Sequence, residues 1–198
     1  MALVIGNGES RQGIDLSSFG ERLIVGCNAL HRDTHVDHLV CCDRRMVDES
    51  LDSDNTKNTK MYVRQDYINF YSKQDPRVNL VPQLPYKGKT KADTPIHWGS
   101  GPYAVLVAAN LPVQEIVLLG FDLYPSQSNT VNNIYKGTNN YSSKKSKPID
   151  YSFWQYQIAK VFEYFPDKQF VIYNKPDWKL PTTWNQNNVS VKFLHSGS

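Results

Sequence analysis

Five short apolar runs that each break into turn residues, together with two helical segments rich in alanine, valine and aromatics, predict an α/β fold. Runs without alternation are what strands buried on both faces of a parallel sheet look like. The expected architecture is Rossmann-like: a doubly wound, mainly parallel sheet with helices on both faces and a polar lid. A chain of 198 residues fits one domain of this type.

The strands follow in order. Leu3-Val4-Ile5 leads into Gly6-Asn7-Gly8, Leu23-Ile24-Val25 into Gly26-Cys27-Asn28, and Leu39-Val40-Cys41-Cys42 into Asp43-Arg44-Arg45. Later, Ile116 to Leu119 runs into Gly120-Phe121-Asp122, and Phe170 to Tyr173 into Asn174-Lys175-Pro176. Asp52 to Lys60 is polar and reads as a surface loop. Ser100-Gly101-Pro102 opens a helix that ends near Asn110, with Ser100 as its expected N-cap and Pro102 suited to the first turn. Asp150 to Phe165 reads as a second helix, its apolar stripe drawn from Phe153, Trp154, Ile158, Val161 and Phe162. Between them, residues 124–149 turn to Ser, Asn, Thr, Lys and Gly, the composition of a lid or a loop.

Composition narrows the classes. With 40% hydrophobic and 12% aromatic residues the chain can fill a core. A net charge of +3 is too small, and too dispersed, for a nucleic-acid binder. No apolar run approaches the roughly 20 residues of a membrane span. Met1 to Gly8 lacks the pattern of a secretory signal, and three cysteines make no disulfide framework. The expectation is a cytoplasmic protein, with homo-oligomerisation left open.

Ligands of open α/β sheets sit outside the carboxyl ends of the strands, so strand-terminal residues come first. They are Asn7, Gly8, Glu9, Ser10, Asn28, Asp43, Arg44, Asp122 and Tyr124. The Gly6-Asn7-Gly8 turn is no dinucleotide fingerprint, since Arg11 stands where the third glycine would fall, and no G-K-[ST] follows. It serves equally as a tight turn or a phosphate cradle. The helix start at Ser100 and Gly101 offers a second anion site, and His97 stands at its entrance as a candidate acid or base. His31, His35 and His38 lie near Cys41 and Cys42, but the spacing matches no familiar zinc pattern, and no metal site is assigned. Lys87, Lys89 and Lys91 read as solvated charge. Lys144, Lys145 and Lys147 read the same way, or as lid residues closing with Tyr135 and Tyr141 over an anionic ligand. Trp178 and Trp184 read as core or tail-docking anchors rather than sugar platforms, and His195 to Ser198 is given no function.

Three motifs in order, LVIGNGES, IVGCNAL and the pair GSGPYAVLVAANL and EIVLLGFDLY, resemble the bacterial CMP-sialic acid-dependent sialyltransferases and the wider G-N-G-P-S turn proteins. The resemblance spans residues 3–45 and 97–165. It implies a variant GT-A, Rossmann-like fold and metal-independent, inverting sugar transfer, with no cofactor beyond the nucleotide-sugar substrate and an acceptor left unnamed. By position it implies that Asn7, Gly8 and Ser10 hold the nucleotide phosphate and ribose, and that Asn28 contacts the nucleotide. It implies further that Ser100 and Gly101 bind donor groups and that Tyr124, in the Gly120-Phe121-Asp122-Leu123-Tyr124 motif, assists phosphate departure. The chain departs from that pattern at four places: Glu9 replaces a proline, Asp43 replaces a third asparagine, His97 replaces an arginine, and residues 124–150 contain no histidine.

The leading expectation is therefore a glycosyltransferase-like enzyme. Catalysis would fall to His97, Asp122 and Tyr124, nucleotide or phosphate binding to Asn7, Gly8, Ser10, Asn28, Asp43, Ser100 and Gly101, and the lid role to Tyr135, Tyr141, Lys144 and Lys145. Asp122 could instead cap backbone amides at its strand end. Two alternatives stand beside it. One is a Mg²⁺-dependent pyrophosphokinase, with Asp43 and Asp122 as metal ligands. The other is a non-catalytic module binding a nucleotide or glycan.

Overall fold

The computed structural model describes residues 1–84 and 88–194, so Lys87 and the tail from His195 lie outside the described residues. The protein is α/β, with eight parallel strands in one sheet and helices on both faces. The strands are β1 (Ala2–Ile5), β2 (Leu23–Cys27), β3 (His38–Val40), β4 (Lys60–Val63), β5 (Val78–Leu80), β6 (Glu115–Leu119), β7 (Gln169–Asn174) and β8 (Val189–Phe193). Their order is β5-β4-β3-β2-β1-β6-β7-β8. The chain builds outward from β1 in one direction, returns, and builds outward again from β6. Winding therefore reverses between β1 and β6, where Ile5 pairs with both Gly26 and Leu119.

Alternate side chains of the central strands face opposite layers, as strand geometry requires. Val4, Val25, Val40, Leu118 and Ile172 pack beneath α3 (Ser100–Ala109) and α4 (Ser152–Tyr164). Leu3, Ile5, Leu39, Val117 and Leu119 face the other layer, where Met46 and Val47 of α1 (Arg44–Leu51) and Tyr71 of α2 (Gln65–Tyr71) close the core. Helix α3 packs against the sheet and against α4 beside it, which explains its Ala- and Val-rich sequence: a helix apolar all round is buried all round.

All five strands expected from the sequence are present, as are both helices, and the structure adds β4, β5, β8, α1 and α2, which the sequence reading did not single out. The polar stretch from Asp52 contains a 3-10 turn at Asp54–Thr56 and ends where Lys60 begins β4, so it is shorter than expected. Ser100 is not the N-cap of α3; Gly99 holds that position without a side-chain bond, and Ser100 turns to other partners. Phe153 faces outward from α4, whereas Ile158, Val161 and Phe162 are fully buried. Trp184 is buried against Phe162 and donates to the Gln155 carbonyl, as a packing anchor does.

Among the described residues, no helix is long and apolar enough to cross a membrane.

Candidate functional site at the winding reversal

The crevice opened by the reversal is where ligands sit in sheets of this kind. Its floor is the approach of two strand ends. Beyond β1 and β6 the pairing continues, with Gly6 N donating to Leu119 O and Gly8 N to Gly120 O, each at 2.8 Å. A Cβ on Gly6 would lie 2.5 Å from the Gly120 carbonyl oxygen, so side chains are barred from this contact. Three residues on, Asp122 turns its carboxylate under Gly8 and accepts from Ser10 N at 2.9 Å and from Ser10 Oγ. Asn174 Nδ2 lies 3.5 Å from the same carboxylate. The following Leu123 has φ +52°, a left-handed conformation that a leucine adopts only under tertiary constraint.

A second group of strand ends is stitched to the N-terminus of α3. Asn28, at φ +51°, uses the tolerance of asparagine for this region. Its Oδ1 accepts from Ser100 Oγ at 2.9 Å, and Ser100 Oγ accepts in turn from Cys42 N at 3.0 Å. Asn7 Nδ2 donates to Tyr141 Oη at 3.1 Å, while its Oδ1 is buried and has no partner among the described residues. An unpartnered buried acceptor is costly unless something else supplies the donor.

Asn7, Gly8, Asn28, Ser100, Gly101 and Asp122 thus line one crevice, walled on its apolar side by Phe121, Tyr151 and Trp154. Its free volume is about 110 Å³, room for a phosphate or a single ring. Adjoining it is a larger cavity of about 600 Å³, which shares Asp122 and Asn132 with the crevice and takes in Ser10 and Tyr124. Burial pushes the Tyr124 phenol above its ordinary pKa, so it remains a proton-bearing donor.

Other expected site residues lie elsewhere. His97 is exposed at the end of the 3-10 turn Pro95–His97 and lines neither space; the turn directs Trp98 inward instead. Asp43 is the N-cap of α1, accepting from Arg45 N at 2.9 Å. The Arg45 guanidinium beside it holds its carboxyl below the usual range. Asp43 and Asp122 follow β3 and β6, three strand spacings or about 14 Å apart, too far to share one cation. Lys144 and Lys145 are exposed and face neither space.

Both lid tyrosines are engaged. Tyr135, 6% exposed, accepts from Arg11 Nη2 at 2.7 Å and donates to Asp33 Oδ2 at 2.5 Å. Tyr141 accepts from Asn7 and from Ala29 N. Among the described residues, segment 124–149 has neither helix nor strand. It is held on the glycine turn by Ile134 N bonding Asn7 O, and by Glu9 N bonding Asn132 Oδ1.

The histidine and cysteine cluster disperses. His31 is buried against Asn28 O and 3.4 Å from Glu49, so it is no surface histidine; His38 meets Tyr62, and His35 meets Asn55 O. No group of three or more metal-ligating side chains occurs among the described residues. Burial pushes Cys27 up to about 12 and Cys42 up to about 11.

Asn132, Tyr151, Trp154, Asn174 and Trp178 were not singled out as site residues from the sequence. Only Asn174, which directly follows the apolar run of β7, carried a signal: the strand-end rule that selected Asn28 applies to it equally. The chain matches no family model, no curated protein and no solved structure.

Proposed function

We propose that the protein binds a nucleotide-activated sugar at the β1–β6 reversal and transfers the sugar without a divalent ion. The observation that carries this reading is the convergence of a glycine turn, the α3 N-terminus and the unpartnered Asn7 Oδ1 on one crevice at the switch point. Helix N-termini and free amides favour an anionic phosphate, and they can neutralise a departing one. Gly8, Ser100 and Gly101 would hold the phosphate, with Asn7 and Asn28 contacting the nucleoside. The crevice alone is too small for a nucleotide sugar, so the transferred sugar would sit at the junction by Asp122 and Asn132, where the crevice meets the larger cavity.

In the transfer, an acceptor hydroxyl attacks the anomeric carbon as the bond from that carbon to the phosphate oxygen breaks. The Tyr124 phenol donates to the leaving oxygen. The acceptor proton passes to the Asp122 carboxylate, which faces both spaces. We place this activity in the reducing cytoplasm, in keeping with three free thiols. A non-catalytic nucleotide-binding module is the second reading, favoured by the engagement of both lid phenols with protein partners.

Calorimetric titration with CMP, CDP, UDP and GDP, with and without Mg²⁺, tests the proposal. Binding should be independent of Mg²⁺, and Asn7→Ala should weaken it about tenfold, the loss expected for one hydrogen bond at a charged ligand. If none of the four binds below about millimolar concentration, where affinity falls to about 4 kcal/mol, the reading fails. Binding without transfer selects the second reading.

A further inference from the structure

The larger cavity differs in chemistry from the crevice beside it. It lies at the carboxyl ends of β1, β6 and β7, and five of its fourteen lining residues come from 174–179, outside the segments that carry the sequence resemblance. Asn174, 2% exposed, ends β7 and spends its Oδ1 on Lys175 N at 2.8 Å. Among the described residues its Nδ2 has only the 3.5 Å approach to Asp122, and it lines the cavity with donor capacity left over. The turn after β7, closed by Trp178 N bonding Lys175 O at 3.0 Å, brings the Trp178 ring back over the strand ends. There its Nε1 donates to Asp122 O at 2.8 Å, which pins the indole by its polar edge and leaves the ring as a wall.

Opposite stand Tyr124 and the hydroxyls of Ser126 and Ser128. The charges lining the cavity are three carboxylates, Glu9, Asp122 and Asp177, of which Glu9 is paired with Lys136, against two lysines, Lys175 and Lys179, so they balance. A space with balanced charge, no helix N-terminus and a rim of hydroxyls and amides offers no net positive charge to a second phosphate. It suits a neutral ligand with many hydroxyls and an apolar ring face to lay on an indole.

We propose that this cavity is the acceptor site and that the acceptor is a neutral carbohydrate, with its ring against Trp178 and its hydroxyls on Asn174, Asn132 and Asp122. As an acceptor assignment it rests on the reading that the neighbouring crevice holds the nucleotide sugar. The cavity's preference for a neutral sugar does not depend on that reading.

The test is saturation-transfer NMR on the full chain with methyl β-galactoside, methyl β-glucoside and inorganic phosphate as separate probes, beside the CMP titration. At least one glycoside should receive saturation on its ring protons, and phosphate should not displace it. Trp178→Ala should weaken the glycoside about tenfold. Because Trp178 also ties down a strand end, Ser128→Trp serves as the second variant. It fills the cavity from an exposed rim position and should abolish glycoside binding with the CMP affinity within about twofold of the parent. If CMP binds and neither glycoside does, the acceptor inference is overturned and the nucleotide reading stands. Displacement by phosphate, or glycoside binding untouched by Ser128→Trp, also overturns it. Glycoside binding that Ser128→Trp abolishes, in a protein that ignores CMP, upholds the carbohydrate cavity and removes the donor reading.

Discussion

Replacing Gly8 by alanine tests the packing on which the whole crevice rests. Gly8 has φ −65° and ψ 149°, an extended conformation open to any residue, so the substitution carries no backbone strain. Its cost comes from Asp122. A Cβ at position 8 would lie 2.5 Å from the Asp122 carboxyl carbon and Oδ1 and 2.7 Å from Oδ2. The carboxylate is 7% exposed and cannot swing aside without leaving both Ser10 N and Ser10 Oγ. Hydrogen bonds to a charged group contribute about 1.5–3 kcal/mol each, and overpacking costs about 1–3 kcal/mol. Alanine returns about 0.4–1 kcal/mol by restricting the unfolded chain. A net loss of about 3 kcal/mol follows, which at about 2–4 °C per kcal/mol for a chain of this size lowers Tm by about 6–12 °C. Thermal unfolding followed by circular dichroism measures it. Gly101→Ala is the control: its Cβ would meet only Phe121 Cε1, at an ordinary 3.5 Å, so Tm should hold or rise slightly. Adding Asp122→Ala to Gly8→Ala should cost less than the sum of the two single changes, by at least about 1 kcal/mol. A Gly8→Ala protein melting within about 2 °C of the parent would refute the reasoning, since the clash would then have been absorbed without loss.

Tyr135→Phe removes the hydroxyl shared by Arg11 and Asp33 but leaves their direct 3.0 Å pair. It should cost about 1–2 kcal/mol and speed amide exchange across residues 131–141, read by mass spectrometry. Glu49 gives a pH signature. Arg32 holds its carboxyl below the ordinary value, against the opposing effect of burial. The stabilisation is therefore complete above the unfolded pKa of about 4.3 and is lost as pH falls through the depressed folded one. Glu49→Gln should melt below the parent at about pH 6–7 and converge with it as pH falls through the depressed folded pKa; a Tm difference that stays constant on acidification would remove Arg32–Glu49 as its source.

The strands that could be read in advance were those near the centre of the sheet. Leu3 to Ile5 and Ile116 to Leu119 are buried on both sides, so every residue is apolar and the signal is dense. β8 alternates Val189, Val191 and Phe193 with polar residues at an edge, and α1 buries only Met46, Val47 and Ser50 among charged neighbours. Elements that bury little write little into the sequence. The site followed the same logic. Asn7, Gly8, Asn28, Ser100, Gly101 and Asp122 gather in one crevice because each ends a strand or opens a helix. His97 was chosen for its neighbours in sequence, and a 3-10 turn was enough to send it to solvent.

The sequence by itself determined the fold class and which residues stand at the central strand ends, because strand burial and turn chemistry are local properties of short segments. Tertiary structure decided which strand ends meet. It set β1 beside β6, moved Asp43 out to a helix cap, and spent the two lid phenols on partners more than 100 residues away along the chain. It also brought Trp178, from the far end of the chain, over Asp122. Those contacts depend on strand order, and strand order follows from how the whole set of crossovers packs, which no single segment encodes.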